Sequence, residues 1–342
     1  MYYLDRNEFQ FDLPTQCIDV LKNGSTQLLT HYSRSFERKI KSTITERLSE
    51  VFQIPEKNIL LGYGCEDLLT QIVQYFVKEG DAVLVAQHAW WYYREITQQA
   101  HGTVHEYPMY KTDTTFYIDM NDILQLYATL HPKLVFLANP NNPTGDGFSI
   151  NKIADVIARC PDTLFVFDEA YWGYDDEDNS HVAHFQQNLP NVIILRSFSK
   201  YFGLPGIRIG FGFVHAQHQA FIQSSQRYLG FNRLSEEMAL RTLDSMDHYR
   251  NISAVLRQEK NRFYTTLRPL PSVNVYESKA NFIMISIPEA AVAPLKDNLQ
   301  NEAIKVRFFD EKGLENHFRV SIAKPEINTL VLQCIKDAVS CI

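Results

Sequence analysis

Short, wholly apolar runs alternate along this chain with longer stretches in which apolar residues recur every three or four positions. Asn58-Ile59-Leu60-Leu61, Ala82 to Ala86, Leu134 to Ala138, Leu164 to Phe167 and Val192 to Leu195 predict strands buried on both faces. Between them, Leu68, Leu69, Ile72, Val73, Phe76 and Val77 carry helical spacing. So do Ile150, Ile153, Ala154, Ile157 and Ala158, with Ser149 as their cap. Strand and helix alternate from residue 58 to 212, which predicts an α/β fold with a mostly parallel sheet between helices. Residues 1–30 read as irregular, and a helix is expected from about Ser33 to Phe52, stopping before Pro55. From 217 to 268 the pattern is helical. Short strands at Val273–Tyr276, Asn281–Ile287, Lys305–Phe309 and Phe318–Ile322 then alternate with helices at Glu289–Asn301 and Glu326–Val339, a small α+β unit.

In such sheets ligands bind beyond the carboxyl ends of the strands. Each strand here ends in a polar or aromatic cluster: residues 62–67, 88–93, 139–145, 168–171 and 197–208. Composition narrows what they could bind. The net charge of −7 comes without a basic tract, which argues against nucleic acid and anionic membrane as partners. Five cysteines without a Cys-x-x-Cys pair suit reduced thiols better than disulfides or zinc. The N-terminus lacks a signal peptide's charged-then-apolar order, and no apolar run approaches the roughly 20 residues of a membrane span. The expected location is cytoplasmic.

The densest cluster is Ser197-Phe198-Ser199-Lys200, followed by Arg208 and by glycines at 203, 206 and 210. A lysine beside hydroxyls and an arginine suits an amine nucleophile next to a bound phosphate. A pyridoxal phosphate enzyme needs such a lysine to hold the cofactor aldehyde as a Schiff base. The other strand ends offer the remaining groups. Asp168 could keep the pyridinium nitrogen protonated, or could simply be a helix N-cap. Asn142 and Tyr171 can donate to the phenolate oxygen. The turn at Gly64-Cys65-Glu66, with Ser197, Ser199 and Arg208, suits the phosphate. Trp90 could stack on the cofactor ring, or the aromatics of that row could simply be core.

Asn142-Pro143-Thr144-Gly145, Asp168-Glu169-Ala170-Tyr171 and Ser197-Phe198-Ser199-Lys200…Arg208 stand in an order that resembles the class I/II aminotransferases, fold type I pyridoxal phosphate enzymes. The segments Asn139 to Gly145, Phe198 to Phe211 and His317-Phe318-Arg319-Val320-Ser321-Ile322 are most similar to the histidinol-phosphate aminotransferase branch. The resemblance implies a large domain over 31–245, with a seven-stranded sheet, and a small domain from 1–30 and 246–342. It implies ping-pong transfer from an amino donor, histidinol phosphate or a related or aromatic amino acid, to a 2-oxo acid such as 2-oxoglutarate. Arg319 would bind the substrate's anionic end with Arg307 assisting, and Asn7 belongs to a segment that helps to close the site. In such homodimers a tyrosine, here Tyr32, reaches the neighbour's cofactor phosphate.

Two departures bear on the substrate pocket. The family's Asn-Glu-Asn-Pro is here Asn7-Glu8-Phe9-Gln10, and the stacking loop reads Gln87-His88-Ala89-Trp90-Trp91-Tyr92-Tyr93. That aromatic density suits a bulky amino donor. A decarboxylase of a phosphorylated amino acid is the alternative on the same scaffold, and a non-enzymatic cofactor-binding sensor is a remoter one. A nicotinamide dehydrogenase is disfavoured, because Gly62-Tyr63-Gly64-Cys65-Glu66-Asp67 lacks the third glycine of the dinucleotide turn. His181-Val182-Ala183-His184 has metal-like spacing but reads as a surface loop in an acidic stretch.

Overall fold

The five apolar runs lie within one seven-stranded sheet. In spatial order its strands are Ile59–Gly62, Gly210–Val214, Val192–Ser197, Leu164–Asp168, Leu134–Ala138, Ala82–Ala86 and Thr103–Tyr107. The structure, a computed structural model, describes residues 1–38, 42–148, 150–175, 177, 179–227 and 229–340. Gly210–Val214 runs antiparallel to both of its neighbours, and the remaining adjacent pairs are parallel. Every residue of Leu164–Asp168 and Val192–Ser197 is buried, as strands covered on both faces should be. Alternate side chains feed two cores: Leu84, Val135, Phe165 and Ile194 on one face, Val83, Leu134, Val166 and Ile193 on the other.

A second, antiparallel sheet orders Asn274–Val275, Phe282–Ser286, His317–Ser321 and Arg307–Phe308. The helices Met246–Leu267, Glu289–Asn301 and Pro325–Ser340 accompany it. Tyr2–Tyr3 runs parallel to Ile304–Lys305. Among the described residues no helix is long and apolar enough to cross a membrane.

Three expectations need correction. Residues 1–30 are not wholly irregular, since Thr15–Asn23 is a helix whose Cys17 is buried 3.4 Å from Thr242 Oγ1. The helix expected from Ser33 begins only at Thr43. Ser42 is extended there and accepts from the Ile44 N–H at 3.1 Å, while Thr45 Oγ1 accepts from the Ser42 N–H at 3.1 Å. This reciprocal cap starts a new helix, and before it Ser35–Arg38 forms only a short 3-10 turn. The segment His181 to His184 belongs to the helix Ser180–Asn188, where His181 Nε2 lies 2.7 Å from buried Glu169 Oε1. The expected cap Ser149 falls outside the described residues.

Candidate active site

Asp168 and Ser197 are the last residues of neighbouring parallel strands, so their side chains emerge at the same edge of the sheet. The Asp168 carboxylate is buried and accepts from the Tyr93 hydroxyl at 2.7 Å and from the Ala170 N–H at 3.0 Å. Burial raises its pKa above the usual carboxylate range, and the Tyr93 hydrogen bond pulls it back. Among the described residues no helix starts at Asp168, so the N-cap alternative is not met, and its Oδ1 closes a local turn while Oδ2 faces Tyr93.

Lys200 follows three residues after Ser197, beyond a turn in which Ser197 Oγ accepts from the Ser199 N–H at 3.0 Å. Burial lowers the Lys200 pKa to about 8, helped by the charges of Arg319 and Arg208 and opposed by Glu8 and Asp168. Its Nζ donates to the Arg6 carbonyl at 2.8 Å and stands 5.8 Å from the Tyr171 ring centroid.

The glycine turn forms a cradle. Gly64 has φ +87° and opens the Cys65–Phe76 helix, whose first amides have no intrahelical acceptor. A Cβ on Gly64 would lie 2.7 Å from the Arg208 guanidinium. A Cβ on Gly210 would come within 2.5 Å of the Gly64 carbonyl carbon and 2.6 Å of the Cys65 nitrogen. Gly206 has open space around it. Arg208 donates to the Tyr63 and Pro205 carbonyls, each at 3.3 Å, and lies 3.5 Å from a Glu66 carboxylate oxygen. The Cys65 thiol is buried at the helix start, and burial pushes its pKa well up.

From the second sheet, buried Arg319 donates to Asn142 Oδ1 and, at 2.7 Å, to the Asp5 carbonyl. Its guanidinium stands 5.2 Å over the Phe282 ring, and its Nε is buried with no hydrogen-bond partner among the described residues. Asn7, at φ +55°, donates through Nδ2 to the Tyr171 hydroxyl at 2.8 Å, and its own N–H reaches Ser321 Oγ at 3.1 Å. Arg307 faces Arg319 in the strand register but is exposed, its guanidinium 5.8 Å over the Phe309 ring. Tyr32 is 70 % exposed.

Lys200, Asp168, Tyr171, Asn142, Arg319 and Asn7 are thus linked by contact or by charge, with Gly64, Cys65, Glu66, Ser197 and Arg208 at the sheet edge beside them. Trp90 is partly buried against Tyr92 at 4.9 Å and Tyr93 at 5.8 Å. The aromatic row divides. Tyr93 is core and holds Asp168, and the Tyr92 hydroxyl lies 2.8 Å from Thr70 Oγ1. Trp91 alone of the four points well into solvent, at 63 % exposure. The contact of Tyr93 with Asp168, across 75 residues, left no signal in the sequence.

Residues 1–332 match the family model described as aminotransferase class I and II. A histidinol-phosphate aminotransferase from Ruminiclostridium cellulolyticum is 28% identical over 331 residues, covering 96% of this chain and 90% of that protein. The solved histidinol-phosphate aminotransferase from Sinorhizobium meliloti, in complex with pyridoxal-5'-phosphate, superposes with a TM-score of 0.86 at 22% identity. That match covers 99% of this chain and 91% of the other. An L-threonine-O-3-phosphate decarboxylase from Porphyromonas gingivalis has the same fold, with a TM-score of 0.81 at 20% identity over 99% of this chain and 100% of its own.

Proposed function

This chain belongs to the class I and II aminotransferases, and on that premise we propose that it is a transaminase of the histidinol-phosphate aminotransferase type. The family's cofactor is pyridoxal phosphate, and the residues present fit it. A buried carboxylate, an amine held near 8 and a glycine cradle beside an arginine suit its ring nitrogen, aldehyde and phosphate. Asp168 would hold the ring nitrogen, Asn142 and Tyr171 the phenolate oxygen, and Trp90 a ring face. The amides of Gly64, Cys65 and Glu66, with Ser197, Ser199 and Arg208, would hold the phosphate. Lys200 would hold the aldehyde carbon. When bound, the cofactor supplies an electron sink for the pair left when a donor's Cα loses its proton.

The chain's own groups then have defined tasks. Lys200 Nζ is the base that takes and returns the Cα proton, and a pKa of about 8 leaves it a working neutral fraction. Arg319, oriented by Asn142, binds the anionic end of the donor, Arg307 assists at the rim, and Asn7 closes the pocket beside Tyr171. Nitrogen passes in two half-reactions from histidinol phosphate or a related or aromatic amino acid to a 2-oxo acid such as 2-oxoglutarate. The observation that carries this reading is the convergence of Lys200 and buried Asp168 with the Arg319–Asn142 pair. We further propose a cytoplasmic homodimer in which exposed Tyr32 reaches the partner's cofactor phosphate.

A donor panel tests the reading. Histidinol phosphate, the aromatic amino acids and a phosphorylated amino acid are each incubated with the pyridoxal phosphate-loaded protein and 2-oxoglutarate. Glutamate is expected from histidinol phosphate or an aromatic donor. Carbon dioxide from the phosphorylated amino acid, with no glutamate from any donor, would instead make the protein a decarboxylase.

A further inference from the structure

Tyr93 has no part in the roles above, yet its hydroxyl is aimed at the central carboxylate. Its ring is buried and stacked on Phe136, with centroids 4.6 Å apart and planes 12° from parallel. Trp90 meets it edge-on at 5.8 Å. This packing fixes the ring on the core side of the sheet edge and leaves the hydroxyl 2.7 Å from Asp168 Oδ2. A phenol has one hydrogen to donate, and the Asp168 carboxylate at that distance accepts this hydrogen bond. The charges of Glu169 and Lys200 also act on Asp168, and the buried Cys65 thiol and Tyr171 hydroxyl lie near enough to feel the charge of Asp168. Glu169 is paired with Arg196, with an N–O distance of 2.8 Å, and lies 2.7 Å from His181 Nε2.

A buried aspartate facing a pyridine nitrogen can share its proton in two ways. Either the acid is neutral and the ring is neutral, or the acid is a carboxylate and the ring is a cation. Burial favours the neutral pair, and a hydrogen bond donated to the carboxylate favours the charged one. We propose that Tyr93 is a positioning residue for transamination: its hydroxyl holds Asp168 as the carboxylate, so that the shared proton resides on the cofactor's ring nitrogen. The inference rests on the cofactor assignment made above. It gives the buried tyrosine of the aromatic row an electrostatic task, distinct from shaping the substrate pocket.

The test is Tyr93→Phe, which removes one oxygen and keeps the ring stacked on Phe136. Wild-type and variant proteins are loaded with pyridoxal phosphate labelled with nitrogen-15, and the ring-nitrogen chemical shift is recorded alongside steady-state kinetics and a thermal melt. The wild type is expected to show a pyridinium nitrogen, and the variant a shift towards the neutral pyridine value. With it, kcat should fall about tenfold, the scale of one hydrogen bond to a charged group, while KM for the donor stays unchanged. A loss of activity or melting temperature with an unmoved nitrogen signal would make Tyr93 a packing residue and overturn the inference. An unmoved signal with unchanged kinetics would overturn it as well, and either result leaves the cofactor assignment standing. Failure of the wild type to retain the cofactor would overturn both.

Discussion

Lys200 and Arg319 are the two cations to which the proposed chemistry gives the central tasks, and burial lowers the pKa of each. For Lys200 this gives a pH dependence with a defined sign. Only the neutral amine attacks an aldehyde, and its fraction grows as pH rises through the folded value of about 8. The rate at which cofactor-free protein captures pyridoxal phosphate should therefore rise through about pH 8 and level off above it, as followed by absorbance after mixing. A midpoint above 10 would mean an amine not depressed by its surroundings. For Arg319, Arg319→Ala should lower kcat/KM for anionic donors by about 2–4 kcal/mol if the guanidinium meets the donor in a desolvated pocket. An unchanged kcat/KM removes Arg319 from the substrate site. Lys200 and Asp168 could be picked out as candidates in the sequence because each sits at or beside the end of an apolar strand, whereas Arg319, in a mixed strand, was singled out by the family resemblance. The partners of those residues were not. That Tyr93 holds Asp168, or that Asp5 presents its carbonyl to Arg319, depends on chain segments 75 and 314 residues apart.

Among the elements, those with a continuous apolar run or a regular apolar face were the readable ones. Strands covered on both faces write continuous apolar runs, and the Glu289–Asn301 helix follows its expected bounds. The edge strand Thr103–Tyr107 escaped notice because it is half exposed and carries His105 and Glu106, so no apolar run marks it. The Thr15–Asn23 helix escaped for a related reason, with only Cys17 fully buried to define its face. The packing of Gly210 on Gly64 and Cys65 was legible as a glycine and not as a contact. Gly210→Ala should overpack the strand end against that turn, costing about 1–3 kcal/mol and weakening retention of the cofactor phosphate. Urea unfolding and the dissociation constant for pyridoxal phosphate read the two effects, with Gly206→Ala as a control in open space. A Gly210→Ala protein with both values unchanged would mean that the cradle tolerates a side chain.

Across the whole molecule, the first residues join what the two sheets hold apart. Asn7 bonds Tyr171 beside the large sheet and Ser321 in the small one, and Asn281 Nδ2 reaches the Asn7 carbonyl at 3.1 Å. Such a segment has no periodicity of its own, since its order is imposed by partners distant in sequence. The site therefore draws on strand ends of the large sheet, one strand of the small sheet and the N-terminal segment, with Lys200 at their meeting point. The most direct measurement incubates wild-type and Lys200→Ala proteins, each saturated with pyridoxal phosphate, with a nitrogen-15-labelled amino donor and 2-oxoglutarate, and follows labelled glutamate by mass. Labelled glutamate should accumulate with the wild type, and at a rate lower by at least about a hundredfold with Lys200→Ala. Transfer of the label by Lys200→Ala at the wild-type rate would contradict the assignment of Lys200.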